Sequence, residues 1–204
     1  MIVNLGPPTG MKKSITLTCL SALLIIHSAF AADTYVIDKA NSSMGFQVRH
    51  LFSTVPGKFD NCTGTITYDE ASPEQSSVEV NIKTASVDTG VKMRDDDLRS
   101  PNFFDAAKYP EITFKSKSVK KTGENTFEVT GDLTIHGVTK EVVLKAELIG
   151  KGAGTKPGSI LSGWEATTAI KRSDYELAWN KVIEGTQVVA DDVKIELHVE
   201  ADKK

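Results

Sequence analysis

From Asn125 to Ile135 the chain alternates almost without interruption: Phe127, Val129, Leu133 and Ile135 fall on one side, and Glu128, Thr130, Asp132 and Thr134 on the other. A period of two places successive side chains on opposite faces of an extended chain, so this segment reads as a strand with one buried and one wet face. The pattern recurs over most of the sequence after residue 33. It marks strands at 43–50, 57–69, 76–87, 111–121, 138–149, 161–172 and 191–201, with a short first strand at 34–37. In the strand from Ser43 the inward series is Met44, Phe46, Val48 and His50; near 161 it is Trp164, Ala166 and Ile170; in the last strand it is Val193, Ile195, Leu197 and Val199. Turn chemistry separates the segments, notably Asp69 to Pro73, Lys121 to Glu124, His136-Gly137 and Gly150 to Gly158. About eight such strands joined by short turns imply an all-β fold. Closure into an antiparallel barrel removes exposed edges, and a two-sheet sandwich is the competing arrangement.

One stretch resists the strand reading. In "DTGVKMRDDDLRSPNFFD", residues 88–105, an N-cap at Asp88 or Thr89 and the helical spacing of Val91, Arg94 and Leu98 predict a short helix ended by Pro101. A loop carrying Phe103 and Phe104 follows. The run Asp95-Asp96-Asp97 invites a metal, but consecutive helical residues diverge by about 100° and no calcium-loop spacing is present. These aspartates are expected on a solvated face, and no metal is expected.

The N-terminus belongs to a different problem. Lys12-Lys13, the apolar run from Ile15 to Ile26, and Ala29-Phe30-Ala31 have the form of a secretory signal with an A-x-A cleavage site. The apolar run is too short for the roughly 20 residues of a spanning helix. Residues 1–31 are therefore read as upstream residues and signal, and 32–204 as one exported domain without a membrane span. Cleavage takes away Lys12 and Lys13 and no acidic residue, which moves the net charge from −3 to −5. An acidic domain is a poor partner for nucleic acid. Cys62 is then left without an intramolecular partner and reads as a small buried residue.

No catalytic constellation emerges. There is no G-x-S-x-G motif and no Cys–His pairing, while His136 fits a hairpin turn and His198 alternates outward with Glu196 and Glu200. His50, at the end of an inward apolar series, is the candidate polar group at a cavity mouth.

The segments "YVIDKANSSMGFQVRHLFSTVPGKF", "RDDDLRSPNFFDAAKYPEITF", "VTGDLTIHGVTKEVVLKAEL", "IKRSDYEL" and "DDVKIELHVEA" closely resemble the YceI-like family, in order, from Tyr35 to Ala201. The resemblance implies an extended eight-stranded lipocalin-like barrel with a short helix and loop inserted between strands. It also implies a periplasmic location, a dimer in some members, and a tunnel holding a polyisoprenoid lipid or an isoprenoid quinone as the small-molecule partner, with no other cofactor. By position it points to Phe46, Phe103, Phe104, Tyr109, Pro110 and Arg172-Ser173-Asp174. With the inward and rim positions Val48, His50, Phe52, Leu98, Phe114, Trp164 and Ile170, and with Arg94 and Arg172 as cations for a polar head, these form the candidate ligand set. Asp97 stands where similar sequences often have His, and Glu176 where they often have Gly. Two other readings share the barrel: an enzyme on a quinone- or lipid-like substrate using His50 or Asp97, and a stress-related structural protein with a filled interior.

Overall fold

The computed structural model describes residues 1–2, 6, 32–179, 182–183 and 186–204, so the predicted signal and its cleavage site lie outside the described residues. The strands are β1 (Asp33–Ile37), β2 (Ser43–His50), β3 (Ser53–Phe59), β4 (Cys62–Tyr68), β5 (Ser77–Lys83), β6 (Val87–Asp88), β7 (Glu111–Lys121), β8 (Thr126–Ile135), β9 (Val138–Ala153), β10 (Ile160–Lys171), β11 (Val182–Ile183), β12 (Thr186–Gln187) and β13 (Val189–Lys203). A single α-helix among the described residues, α1 (Lys92–Arg99), stands between β6 and β7.

Hydrogen bonding closes a ring in the order β1, β4, β5, β7, β8, β9, β10, β13 and back to β1. This is an eight-stranded antiparallel barrel, and closure decides against the sandwich. β2, β3 and β6 are not extra layers. β1 and β2 both pair with β13, at Ile37↔Ala201 and Met44↔Leu197, so they are one strand interrupted at residues 38–42. β3 and β4 continue each other in the same way, as do β5 and β6 across a 3-10 turn at Thr84–Ser86. The single strand expected over 57–69 is therefore corrected to β3 and β4. The break falls where Asp60 N donates to Ser86 O and Asn61 O accepts from Lys83 N, as the chain exchanges β2 and β6 for β1 and β5 as neighbours.

The predicted alternation of β8 holds, with Phe127, Val129, Leu133 and Ile135 all buried. The His136-Gly137 turn has φ of 52° and 78°, the left-handed pair that a two-residue hairpin needs between Ile135 and Val138. Cys62 is buried, as a small apolar residue would be.

The start of α1 differs from expectation. Val91 occupies the N-cap position without a side-chain bond, because Asp88 Oδ1 instead accepts from Gly90 N at 2.8 Å. The solvated reading of the three aspartates also needs correction at Asp95, which is 6% exposed. Its Oδ1 accepts from Thr89 N at 2.8 Å and Thr89 Oγ1 at 2.5 Å. Only Asp96 behaves as a surface charge, paired with Lys92 and Arg99. Asp97 accepts from Asn102 Nδ2 at 3.2 Å and ties α1 to the following loop.

Candidate functional site

Inward side chains do not fill the barrel. A cavity of about 240 Å3 remains, close to the ~300–1,000 Å3 of ordinary small-molecule sites and far above a packing defect. Its walls come from inward positions on nearly every strand, such as Val80, Val129, Ala166 and Ile195. Ala166, Ile195 and Leu197 remain only partly buried although they alternate with outward Glu165, Glu196 and His198, because they face this space.

Both ends of the cavity are marked by aromatic rings. At the end where β4 finishes and β8 begins, Tyr68 stacks edge-on against Trp164 at 5.2 Å and Phe127 at 6.0 Å, and Trp164 Nε1 donates to Ser162 Oγ at 3.0 Å. The opposite end carries α1, the loop after it, the His136-Gly137 turn and the segment after β10. There Phe59 contacts Phe46 at 5.7 Å and Phe104 at 5.6 Å, and Phe103 contacts Trp179 at 5.1 Å. Phe46 lies flat over a neighbouring strand because Gly57 is opposite it; a Cβ there would sit 2.3 Å from the ring.

Of the residues singled out from the sequence, Phe46, Val48, Leu98, Phe103 and Phe104 line the cavity near this mouth. Phe114, Trp164, Ile170 and Arg172 line it elsewhere along the walls. His50 is corrected from inward to exposed: β2 ends there, and the partner strand shifts register between Val189 and Val193. Phe52 is 92% exposed at the β2–β3 tip. Arg94, expected as a cation for a polar head, is corrected to a local tie: its Nε and Nη2 donate to Thr89 Oγ1 and O at 2.7 and 3.0 Å, off the cavity. Tyr109 packs on His136 at 4.4 Å with Lys108 over its ring, outside the lining. Phe59, Leu177 and Trp179 were not anticipated. Phe59 was legible from its alternation with Gly57, whereas Trp179 lies in a segment without period.

Arg172 is held by main-chain carbonyls rather than by the neighbouring Asp174. It is 8% exposed, and its guanidinium donates to main-chain carbonyls of Ala190 at 2.9 Å, Trp179 at 2.8 Å, Val189 at 3.3 Å and also Leu177. Burial pulls its pKa down, against a smaller opposing effect of Asp191. Next to it, burial pushes the Tyr175 phenol up to about 12. Asp191 accepts from Ser173 N and Oγ at 3.0 and 2.8 Å, and the side-chain bond from Ser173 is the main cause of its lowered pKa. Glu176 takes a left-handed φ of 60°, which accounts for Gly being the easier residue there. Among the described residues no cluster of His, Cys, Asp and Glu could hold a metal, and no helix is long and apolar enough to cross a membrane.

A family model described as YceI-like domain matches residues 35–201. The chain belongs to the YceI-like family. It is 45% identical over 171 residues to protein YceI of Escherichia coli, covering 82% of this chain and 88% of that protein. A UPF0312 protein of Azotobacter vinelandii is 43% identical over 169 residues, covering 81% and 87%. Among solved structures, BcnA of Burkholderia cenocepacia superposes with a TM-score of 0.73 at 30% identity, covering 81% of this chain and 99% of BcnA. A polyisoprenoid binding domain from Saccharophagus degradans has a TM-score of 0.62 at 19% identity, covering 83% and 98%, and shares the fold. The YceI-like barrel is thus common to these chains, and its inserted helix sits at the mouth of the cavity described above.

Proposed function

We propose that this YceI-like protein is a periplasmic binding protein, rather than an enzyme, which sequesters or carries a long-chain polyisoprenoid or a similar amphiphilic lipid in a tunnel formed by the barrel cavity. The observation that carries the reading is an interior left open and walled by apolar side chains, where a structural barrel would be filled. Enclosing some ten carbons at about 0.8 kcal/mol each supplies roughly 8 kcal/mol, near a micromolar dissociation constant before ordering costs. Membership of the YceI-like family and the shared fold of a polyisoprenoid binding domain support the ligand class. The signal pattern ending at Ala31 supports export.

Native mass spectrometry and organic extraction of gently purified protein test the reading. An isoprenoid lipid released in near-stoichiometric amount is the expected result. A barrel that co-purifies empty and takes up no isoprenoid lipid in vitro overturns it. Amino-terminal sequencing of the same material is expected to begin at Ala32 or Asp33. Light scattering reads out the pairing of two barrels that the family resemblance implies for some members.

A further inference from the structure

The two ends of the cavity are built differently. At the mouth Phe103, Phe104 and Trp179 stand on segments between strands, whereas at the far end Tyr68 closes β4, Phe127 opens β8 and Trp164 belongs to β10. All three far-end rings border the cavity. Trp164 joins the other two, with ring centres 5.2 Å from Tyr68 and 6.0 Å from Phe127. Its one polar atom, Nε1, is spent on Ser162 Oγ at 3.0 Å, so the indole offers the cavity carbon alone.

Behind this layer the barrel is solid. Tyr35, Ser162 and Ala201 come next, at 0%, 1% and 0% exposure, and none of the three borders the cavity. Ala201 stands opposite both Ser162 and Ile37, and Tyr35 opposite Ile66, so three neighbouring strands and β4 meet there without a gap. The 3-10 turn Pro73–Gln75 packs on β7 with Pro73 buried, and Lys151, paired with Glu70, covers the Tyr68 ring. Toward the mouth, by contrast, inward side chains such as Ala166, Ile170 and Ile195 stay only partly buried. The cavity is blind at its Trp164 end. Its depth follows from β8, where Phe127 and Ile135 are the first and last residues on the wall. Eight residue steps of about 3.3 Å, tilted by about 35–45° to the barrel axis, span roughly 20 Å.

We propose that Trp164 is a specificity-determining residue, the floor of a one-ended site that admits a prenyl chain tail first and limits the length it encloses to about 20 Å. The inference rests on the lipid-binding reading above and adds a length limit to it. A methyl-ended tail meets the indole without leaving any polar group unpaired, whereas a hydroxyl or charged head pressed against these rings loses its water and gains no partner. Once the tail touches Trp164, further carbons stay at the mouth and bury no additional apolar surface. Ala166 is the next inward residue of the same strand, so the height of the floor is set by the side-chain sizes at 164 and 166.

The test measures dissociation constants of the delipidated full chain for geraniol, farnesol, geranylgeraniol and geranylfarnesol, alcohols that differ by one isoprene unit. Each enclosed carbon contributes about fourfold, so each added unit is expected to tighten binding at least about tenfold after ordering costs. The gain is expected to run as far as geranylgeraniol, whose extended tail matches the depth, with geranylfarnesol within about threefold of it. In Trp164→Ala the space left by the indole admits a further unit, and geranylfarnesol regains a preference of about tenfold. In Ala166→Phe the floor rises by one inward position, and the levelling-off moves to farnesol. That second variant fills existing space and decides alone should Trp164→Ala not fold. A wild-type affinity that still rises about tenfold at geranylfarnesol, or a levelling-off that stays at geranylgeraniol in either folded variant, overturns the floor and leaves the lipid reading standing. If none of the four alcohols binds, both fall.

Discussion

Replacing Ala166 by Phe places a ring where the barrel has room for one. Ala166 lies opposite Leu197 and Ala146 on the neighbouring strands and lines the cavity. A buried Phe covers about 150–250 Å2, so the exchange encloses roughly 100 Å2 of additional apolar surface. At about 25 cal/mol per Å2 this gives about 2.5 kcal/mol, less about 0.5–1 kcal/mol for fixing the new side chain. The net expectation is a gain of about 1–2 kcal/mol in delipidated protein. In a chain of this size that raises Tm by roughly 2–8 °C. A close-packed core responds with the opposite sign, since overpacking costs about 1–3 kcal/mol. The ring also displaces ligand: excluding about five methylenes lowers affinity by about 4 kcal/mol, close to a thousandfold. Urea unfolding of the delipidated protein and titration with a fluorescent isoprenoid measure both effects. A stability loss above about 1 kcal/mol together with undiminished binding refutes the reasoning, because the space around Ala166 would then be neither empty nor used.

Asp95→Ala is expected to cost about 1–3 kcal/mol, because it strands the Thr89 donors, whereas Asp96→Ala stays within about 0.5 kcal/mol; thermal melts of the pair check this. The Asp191 carboxyl is held below its ordinary value of 3.8, so its stabilisation is present above that pH and is lost as pH falls through the lowered value. Asp191→Asn should accordingly lose about 1 kcal/mol at pH 7, and its stability curve should converge with the wild type once the pH has fallen through the lowered value. Burial pushes the Cys62 thiol up, so in a chain beginning at Ala32 it should react with a disulfide reagent at pH 8 at least about tenfold more slowly in native protein than in urea.

Period-two alternation made β8 legible because each of its side chains is sorted by a single buried face. The same rule failed at His50. Alternation within β2 carries no record of the shift in β13 between Val189 and Val193, and the strand ends before the expected face is completed. The interruption at Asp60-Asn61 was equally hidden, since the local pattern continues while the hydrogen-bonding neighbours change. Among three identical aspartates, only the position of the Thr89 backbone distinguishes the buried one. The contact of Phe103 with Trp179 joins two aperiodic segments, and no spacing rule connects them. The family resemblance located the Arg172 segment; that its fork is held by carbonyls rather than by Asp174 is a property of the folded chain.

Ring order equals chain order in this barrel, so every neighbour but one comes from an adjacent stretch of sequence. The exception is the seam of β13 against β1 and β2, where Ser42 Oγ meets Glu200 O across 158 residues. Loop-closure entropy is thereby concentrated in a single late event, and the meander waits, nearly complete, for its final strand. A chain still short of β13 presents two raw edges, and each edge is a template for another molecule. The vulnerable interval in the folding of this barrel is the one before the fifteen residues of β13 are in place.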